Sequence, residues 1–242
     1  MRYTLLLRLA LSGALASFAL AVSSPATGAL AIGRTVAPAG KPVVNARAFH
    51  GQGHLAFLWG GQLFLLDGAT GALRQVTTSG QAGSLAWSPD GRWLAYAWND
   101  SLWLARADGS GAHQVAGLPG SVASFAWSPG GDMLAVAPAG TGQAARTLWL
   151  APTAGQAHPL GIANAAAMWS PNGKALAYAV TLPYQNPVGR SDALYTVPVA
   201  GGMPARRFVA AGSGIWPVRW WPNGKGILFW LDSQHSASLA AD

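Results

Sequence analysis

Short apolar segments, separated by turn-forming residues, run through most of the chain. The clearest four lie between residues 84 and 115 and are rich in leucine, tryptophan, tyrosine, valine and alanine. Segments of this length and composition predict β-strands packed on both faces. The four predicted strands are Ser84–Trp87, Trp93–Trp98, Ser101–Arg106 and Ala112–Val115.

The residues between these segments favour tight turns. Pro89 suits the second position of a type I turn, and Gly91 tolerates the positive φ that follows it. Asn99-Asp100 has the length of a two-residue hairpin loop, and Asp108–Gly111 is a further glycine-containing turn. The four strands are therefore predicted to form one antiparallel sheet with consecutive strands side by side.

The motif at the first of these turns recurs about every 40 residues. Its copies are Ala86–Gly91, Ala126–Gly131, Met168–Gly173 and Trp220–Gly224, with a weaker copy at Ala48–Gly51. The tryptophan, proline and glycine shared by the four clear copies are Trp87, Pro89 and Gly91; Trp127, Pro129 and Gly131; Trp169, Pro171 and Gly173; and Trp220, Pro222 and Gly224.

Four antiparallel strands at this period are typical of a β-propeller blade, whereas a β-sandwich does not require the same turn in every unit. The predicted fold class is all-β. It is a β-propeller of four-stranded antiparallel blades over residues 48–242, with about four complete blades and a partial fifth. The repeat tryptophans are expected to pack between adjacent blades.

The repeat also resembles a known family. The W-S-P-[DN]-G turn, the L-A-Y strand after it and the A-D-G-S-G turn are similar to the propeller repeat of TolB-like proteins, best over Leu85–Val115 and Met168–Tyr178. The resemblance implies a ring of about six blades. TolB carries an α/β domain before its propeller, and the short stretch between Ala31 and Ala48 has no counterpart of it. The resemblance therefore does not imply that this chain has the complete function of TolB in the Tol complex.

The first residues have the features of a secretory signal peptide. Arg2 and Arg8 precede an apolar run, Leu9–Val22, and Ala29-Leu30-Ala31 is a small-residue cleavage site. An uncleaved anchor would need about 20 apolar residues. We predict a signal peptide over residues 1–31 and a linker or N-terminal strand over residues 32–47. The mature protein is expected in the periplasm, at the cell surface or secreted, with no membrane span.

The final repeat copy is shorter than the others. Its first strand is predicted at Val218–Trp220, its second at Gly226–Leu231 and a third from Ser236–Leu239, and a fourth has no residues left before Asp242. One interpretation is an incomplete ring, from a fragment of a longer protein. The alternative is a five-bladed ring whose missing strand comes from Val43–Arg47.

Composition excludes several kinds of chemistry. The chain is 51% hydrophobic and 10% charged, which is too apolar for a disordered protein. It has no cysteine, and all eight acidic residues are aspartates, so thiol nucleophiles, zinc-thiolate sites and glutamate acids are absent. The net charge is +7, but no basic run exceeds Arg206-Arg207, and no nucleic-acid partner is expected.

No catalytic residue, metal site or cofactor is predicted. Seven aspartates lie in or beside predicted turns and the eighth ends the chain, so no carboxylate pair remains for acid–base chemistry. His50 and His54 are separated by two glycines, which argues against a metal-binding helix. The chain lacks a G-x-S-x-G elbow and a phosphate-binding loop. One basic repeat position is assigned to the outermost strands, where it discourages edge association; it holds Arg74, His113, His158 and Arg206.

Binding is expected at the end of the propeller where loop length varies. The loops at that end are predicted at Asn99-Asp100, Pro138–Arg146, Thr181–Asp192 and Ala211–Pro217. The candidate ligand-binding residues are Tyr184, Asn186, Arg190 and Trp216.

The leading functional hypothesis is a secreted, non-catalytic propeller. It would bind a protein, peptide or glycan of the cell envelope. The alternative is the N-terminal propeller of a secreted prolyl-oligopeptidase-like serine hydrolase without its catalytic domain.

Overall fold

Five antiparallel sheets make up the part of the chain that a computed structural model describes, namely residues 41–140, 147–163, 167–183 and 191–232. The first sheet contains β1 (His54–Trp59), β2 (Gln62–Asp67) and β3 (Leu73–Gln75). The second contains β4 (Ala82–Trp87), β5 (Trp93–Trp98), β6 (Ser101–Arg106) and β7 (His113–Gln114). Consecutive strands are neighbours in every sheet.

The remaining sheets repeat this arrangement. The third contains β8 (Val122–Trp127), β9 (Met133–Pro138), β10 (Thr147–Pro152) and β11 (His158–Ala163). The fourth contains β12 (Ala167–Trp169), β13 (Ala175–Thr181), β14 (Asp192–Pro198) and β15 (Ala205–Ala210), and the last contains β16 (Gly214–Trp220) and β17 (Ile227–Asp232). The described ranges hold no helix, and hence none long and apolar enough to cross a membrane.

The second sheet matches its predicted strands closely. Trp98 pairs with Ser101 across a two-residue loop in which Asn99 and Asp100 have φ values of 46° and 64°. Both values lie in the left-handed region, as a type I′ hairpin turn requires. The loop therefore connects β5 to β6 as the sequence predicts. The basic repeat position also lies in the outermost strands, at Arg74, His113, His158 and Arg206, and all four residues are exposed.

The repeated turn is held by its serine. The buried Ser88 hydroxyl accepts a hydrogen bond from the Trp93 amide at 2.9 Å and donates one to the Asp90 carboxylate. Gly91 has a φ of 71°, so a larger residue there would be strained. Ser128 and Ser170 make the equivalent bonds to Met133 and Ala175. In the last copy Trp221 replaces the serine, and the backbone bonds remain without the hydroxyl.

The hydrophobic core lies between the sheets and follows the alternation along each second strand. Leu94 and Tyr96 point toward the first sheet, where they join a buried cluster with Leu63 and Leu65. Ala95 points the other way and joins a cluster with residues of the third sheet. On the second strand of this sheet, large side chains therefore face the sheet before it, and the small Ala95 faces the sheet after it together with Leu102 and Leu104 of the third strand.

The repeat tryptophans link consecutive sheets, as predicted. The indole Nε1 of Trp127 donates to the carbonyl of Ala86 at 3.0 Å, and Trp169 donates to Ala126 at 3.0 Å. Trp220 donates to Met168 at 3.1 Å. Trp87 lies instead against the imidazole of His54, with 6.3 Å between the ring centres.

The two terminal sheets are shorter than the internal ones. The strands of the first sheet correspond to the second, third and fourth strands of an internal blade. The weaker repeat copy lies within turns that span residues 46–51, so the first sheet lacks the first strand of an internal blade. Val43–Arg47 forms no strand, and no described strand pairs the first sheet with the last. The all-β prediction of an incomplete ring is confirmed. The predicted strand from Ser236–Leu239 lies outside the described residues.

Candidate ligand-binding face

The two ends of the sheets differ in how their connections are built. Turns after the first and third strands of each blade lie at one end, here called the turn face. Loops after the second strands, and the links between sheets, lie at the other end, here called the loop face. Connections on the turn face repeat in length and sequence, whereas those on the loop face vary.

Aspartate side chains of the turn face form hydrogen bonds within their own turns. The Asp67 carboxylate accepts a hydrogen bond from the Ala69 amide at 2.7 Å, which lowers the pKa of that carboxyl. Asp108 is bonded likewise by Ser110, first through its hydroxyl and then through its amide, and its pKa is also lowered. Burial alone would raise the pKa of Asp90, but hydrogen bonds from Ser88 and Arg92 outweigh it and lower that pKa. These aspartates have the turn role that the sequence predicts.

A shallow cleft on the turn face lies between the first and second sheets. Basic groups surround it, but each has a partner within the fold. The Arg106 guanidinium lies 5.4 Å from the centre of the Trp93 ring, and Arg92 lies 3.6 Å from Asp90. Arg74 donates to the Asp108 carbonyl at 2.9 Å. This cleft is therefore better explained as a contact between sheets than as an anion site.

On the loop face, the β13–β14 loop stands on a rigid base. The Leu182 amide donates to the Ser191 carbonyl at 2.8 Å, which closes the loop. The Ser191 hydroxyl accepts from the Gly212 amide at 3.0 Å, and the Asp192 carboxylate accepts from the Ile215 amide at 2.9 Å. Ser191 and Asp192 are both buried. Asp192 was expected beside a turn; it begins β14 and ties the fourth sheet to the last.

The link between the first two sheets is also fixed on the loop face. The Trp98 indole donates to the Ser79 carbonyl at 2.7 Å, and the Asn99 side-chain oxygen accepts from the Gln81 amide at 3.0 Å. Gln62 donates to the Gly80 carbonyl at 2.8 Å. A Cβ atom at Gly80 would clash with the Asn99 side chain, so this position requires glycine.

The four predicted binding residues do not all fall within the described structure. Tyr184, Asn186 and Arg190 lie outside the described residues, between the two ends of the β13–β14 loop. Trp216 lies within them, and the prediction that it occupies a loop is wrong. It is part of β16, where it pairs with Trp230 of β17.

The residues that flank Trp216 explain why it was predicted to lie in a loop. Gly214 and Pro217 flank Trp216, and both residue types usually interrupt strands. Here the register shifts between Pro217 and Arg219, and this irregularity accommodates the proline. Trp216 is 51% exposed on the face of the last sheet that points away from the fourth sheet.

Sequence reasoning also missed a neighbour of Trp216. Trp230 lies in the strand predicted at Gly226–Leu231, and it is 65% exposed on the same face. The repeat itself indicates that Trp230 differs from the residues at equivalent positions. The strand positions equivalent to Trp230 in the internal sheets are Ala97, Ala137 and Ala179.

No three histidine, cysteine, aspartate or glutamate side chains lie close enough to hold a metal ion, within the part of the chain that the structure describes. The prediction of a protein without metal or cofactor remains a prediction.

No protein-family model matches the chain, and no curated protein matches it. Solved structures do. The tricorn protease superposes with a TM-score of 0.58 at 16% identity, over 74% of this chain and 18% of that one. Hydrazine synthase of Kuenenia stuttgartiensis superposes with a TM-score of 0.50 at 18% identity, over 72% of this chain and 50% of that one.

The chain folds as a β-propeller. A putative TolB from Agrobacterium tumefaciens is also similar, with a TM-score of 0.48 and 22% identity, over 65% of this chain and 57% of that one. The chain therefore spans only 57%, 50% and 18% of the TolB, hydrazine synthase and tricorn chains. At these identities the likeness shows the fold alone, and the predicted β-propeller is confirmed.

Proposed function

We propose that this propeller is a secreted, non-catalytic binding module. Its loop face binds a protein, a peptide or a glycan of the cell envelope. The observation that carries the proposal is the contrast between the two ends of the sheets. Polar side chains of the turn face are bonded within their own turns, whereas the loop face presents connections of varied length on hydrogen-bonded bases. Variable loops on a rigid scaffold are where binding residues usually lie.

The β13–β14 loop is the proposed centre of this site, with Tyr184, Asn186 and Arg190 as contact residues and Trp216, near the start of β16, as the fourth. Its base at Leu182 and Ser191 does not depend on the sequence between them, because the closing bond joins backbone atoms. The loop sequence can therefore be exchanged without removing the bond that supports it.

Photocrosslinking tests which end of the propeller binds. A photoreactive residue at Pro183 on the loop face should crosslink to a discrete cell-envelope component in living cells, and one at the exposed Arg92 on the turn face should not. Replacing residues 184–190 by a glycine-serine linker of equal length should abolish the Pro183 crosslink, and Tyr184→Ala should weaken it. Equal crosslinking from both faces, or a crosslink that survives the exchange, would contradict the proposal.

Secretion is a separate part of the proposal and has its own test. It rests on the arginines, the apolar run and the cleavage site within residues 1–31. Mass spectrometry of the exported protein should find an N-terminus at Ile32. A protein that keeps Met1, or that stays in the cytoplasm, would contradict it.

A second candidate function comes from the likeness to the tricorn protease. This propeller would then be the part of a prolyl-oligopeptidase-like hydrolase that precedes the catalytic domain. Genomic DNA read beyond codon 242 distinguishes the two. A downstream G-x-S-x-G elbow would favour the hydrolase, and further blades followed by a stop codon would favour the binding module.

A further inference from the structure

Charge is divided unevenly over the turn face. At the turn ends of the first three sheets, basic and acidic side chains are equal in number, namely Arg47, Arg74, Arg92 and Arg106 against Asp67, Asp90, Asp108 and Asp132. Among the described residues, the fourth and last sheets have five basic side chains at that end and no acidic one. The five are Lys174, Arg206, Arg207, Arg219 and Lys225, and all are exposed. The excess positive charge of the turn face is therefore concentrated on these two sheets.

Two large apolar side chains are exposed among these charges. Met203, in the turn between β14 and β15, is 90% exposed, and Trp221, in the turn after β16, is 57% exposed. Trp221 occupies the position that holds a buried serine in the internal turns. The basic patch is defined here by four basic and two apolar residues, which are Lys174, Arg206, Arg207, Lys225, Met203 and Trp221.

Backbone contacts join the parts of the basic patch on the fourth sheet. The Val199 amide donates to the Lys174 carbonyl at 3.0 Å, which ties the β14–β15 turn to the turn between β12 and β13. Met203 belongs to the first of these turns, and Arg206 and Arg207 follow it at the start of β15. The fourth sheet has a described sheet on each side, and these side chains are exposed all the same.

The turn of the last sheet continues the basic patch. A Cβ atom at Gly224 would lie 3.9 Å from the Pro171 ring, so the turn that carries Lys225 lies beside the turn of the fourth sheet. Pro171 and Asn172 remain exposed although the last sheet adjoins them. A neighbouring sheet thus leaves the tips of these turns uncovered. The exposure of the patch therefore does not require an uncovered side of the last sheet.

The shape and chemistry of the basic patch suit a flat anionic surface. The Arg207 guanidinium donates to the Thr196 hydroxyl at 2.8 Å, and this neutral partner leaves its charge in place. The shallow cleft of the turn face is lined by residues of the first two sheets, so the patch lies outside it. An anionic bilayer offers many phosphates in one plane, with an apolar layer beneath them that accepts exposed tryptophan and methionine.

We propose that the basic patch binds the surface of a bilayer that contains anionic phospholipids. Its lysines and arginines contact headgroup phosphates, and Trp221 and Met203 enter the boundary between headgroups and acyl chains, the region that tryptophan prefers. The loop face lies at the opposite end of the sheets, so a protein bound in this way points its loop face away from the bilayer. Because the two surfaces are distinct, bilayer binding and the proposed function of the loop face can fail independently.

Vesicle co-sedimentation of the full exported chain is the first test. The protein should bind vesicles of phosphatidylglycerol mixed with phosphatidylcholine but not vesicles of phosphatidylcholine alone, and added salt should weaken the binding. Arg206→Gln combined with Arg207→Gln should weaken it at least about tenfold, because both side chains contact the anionic surface. The matched control, Arg47→Gln with Arg92→Gln, removes the same charge from the turn face outside the patch and should weaken binding less than about threefold.

Melting temperatures check that both double variants remain folded. Failure to bind the anionic vesicles, equal binding to both kinds of vesicle, or equal loss of binding in the two folded double variants would overturn the proposal.

Site-specific labelling tests the orientation on the bilayer. The chain has no cysteine, so Met203→Cys and Thr78→Cys each provide a single site for an environment-sensitive fluorophore. Thr78 is exposed on the loop face, in the link between β3 and β4, and is the matched control. On anionic vesicles the emission of the label at position 203 should shift to shorter wavelength, and that of the label at position 78 should not.

Soluble polyglutamate distinguishes a bilayer from an anionic polymer, because it has charge without an apolar layer. It should leave the emission of the label at position 203 unchanged. Equal shifts at the two positions on vesicles, or a shift with polyglutamate as large as that with vesicles, would overturn the proposal.

Discussion

The interface between the third and fourth sheets and the outer face of the last sheet use equivalent strand positions with opposite side chains. In the interface Ala135 and Ala137 lie beneath large residues of the neighbouring sheet. On the outer face Leu228 and Trp230 occupy those positions and are exposed. A tryptophan on a strand of this fold is therefore buried only where a neighbouring sheet covers it. The comparison separates residues that hold the sheets together from residues that no described sheet covers.

The largest expected difference is between two tryptophans. Trp127→Ala should lower the free energy of unfolding by about 3–5 kcal/mol, because it empties an inter-sheet site and removes the bond to Ala86. Trp230→Ala should change the free energy of unfolding of the monomer by less than about 1 kcal/mol, since its side chain is exposed. Urea denaturation of the two variants and the wild type measures both. Similar losses in the two variants would contradict the division into buried and available tryptophans.

Exchanging the side chains between the two regions should give the next largest effect. Ala135→Leu installs the residue of the last sheet in the buried interface and should cost about 1–3 kcal/mol of stability through overpacking. The reverse change, Leu228→Ala, should be nearly neutral in the monomer. Thermal unfolding of both variants at low concentration is the measurement. A neutral Ala135→Leu would show that the alanines do not determine how closely the sheets pack.

A smaller effect is expected at the repeated turn. Ser128→Ala should cost about 1–2 kcal/mol, because the Met133 amide and the Asp132 carboxylate both lose a buried partner. The control is Trp221→Ala, at the equivalent position of the last turn, where the side chain is exposed and the backbone bonds alone close the turn. Chemical denaturation distinguishes the two. An equal loss of stability at both positions would show that the serine hydroxyl does not stabilise the turn.

The smallest expected effect concerns pH. The pKa of Asp90 is lowered in the folded protein because hydrogen bonds from Ser88 and Arg92 outweigh the opposing effect of burial. Its contribution to stability is therefore fully present above the unfolded pKa of about 3.9 and is lost as pH falls through the folded pKa. The stability difference between wild type and Asp90→Asn should be constant near neutral pH and shrink in acid. A stability difference that grows as the pH falls would contradict a lowered pKa of Asp90 in the folded protein.

Most strands and turns of the internal sheets could be predicted from the chain. Proline and glycine restrict the backbone locally in Ser88–Gly91, and alternation of apolar residues marks the strands that follow. The weaker copy at Ala48–Gly51 shows where this fails, because its residues form turns in the structure. A strand at the end of a repeat array needs a neighbouring sheet as well as a suitable sequence.

The candidate site was less predictable than the fold. Its loops were located from their variable length, but Trp216 was assigned to a loop because glycine and proline flank it. Only the pairing of Trp216 with Trp230 shows that both belong to a sheet face. The repeat, the turn chemistry and the expectation of blades follow from local backbone preferences, which act within a few residues. Whether a given tryptophan is buried depends on what the adjacent sheet places over it, and that contact joins residues about 40 positions apart.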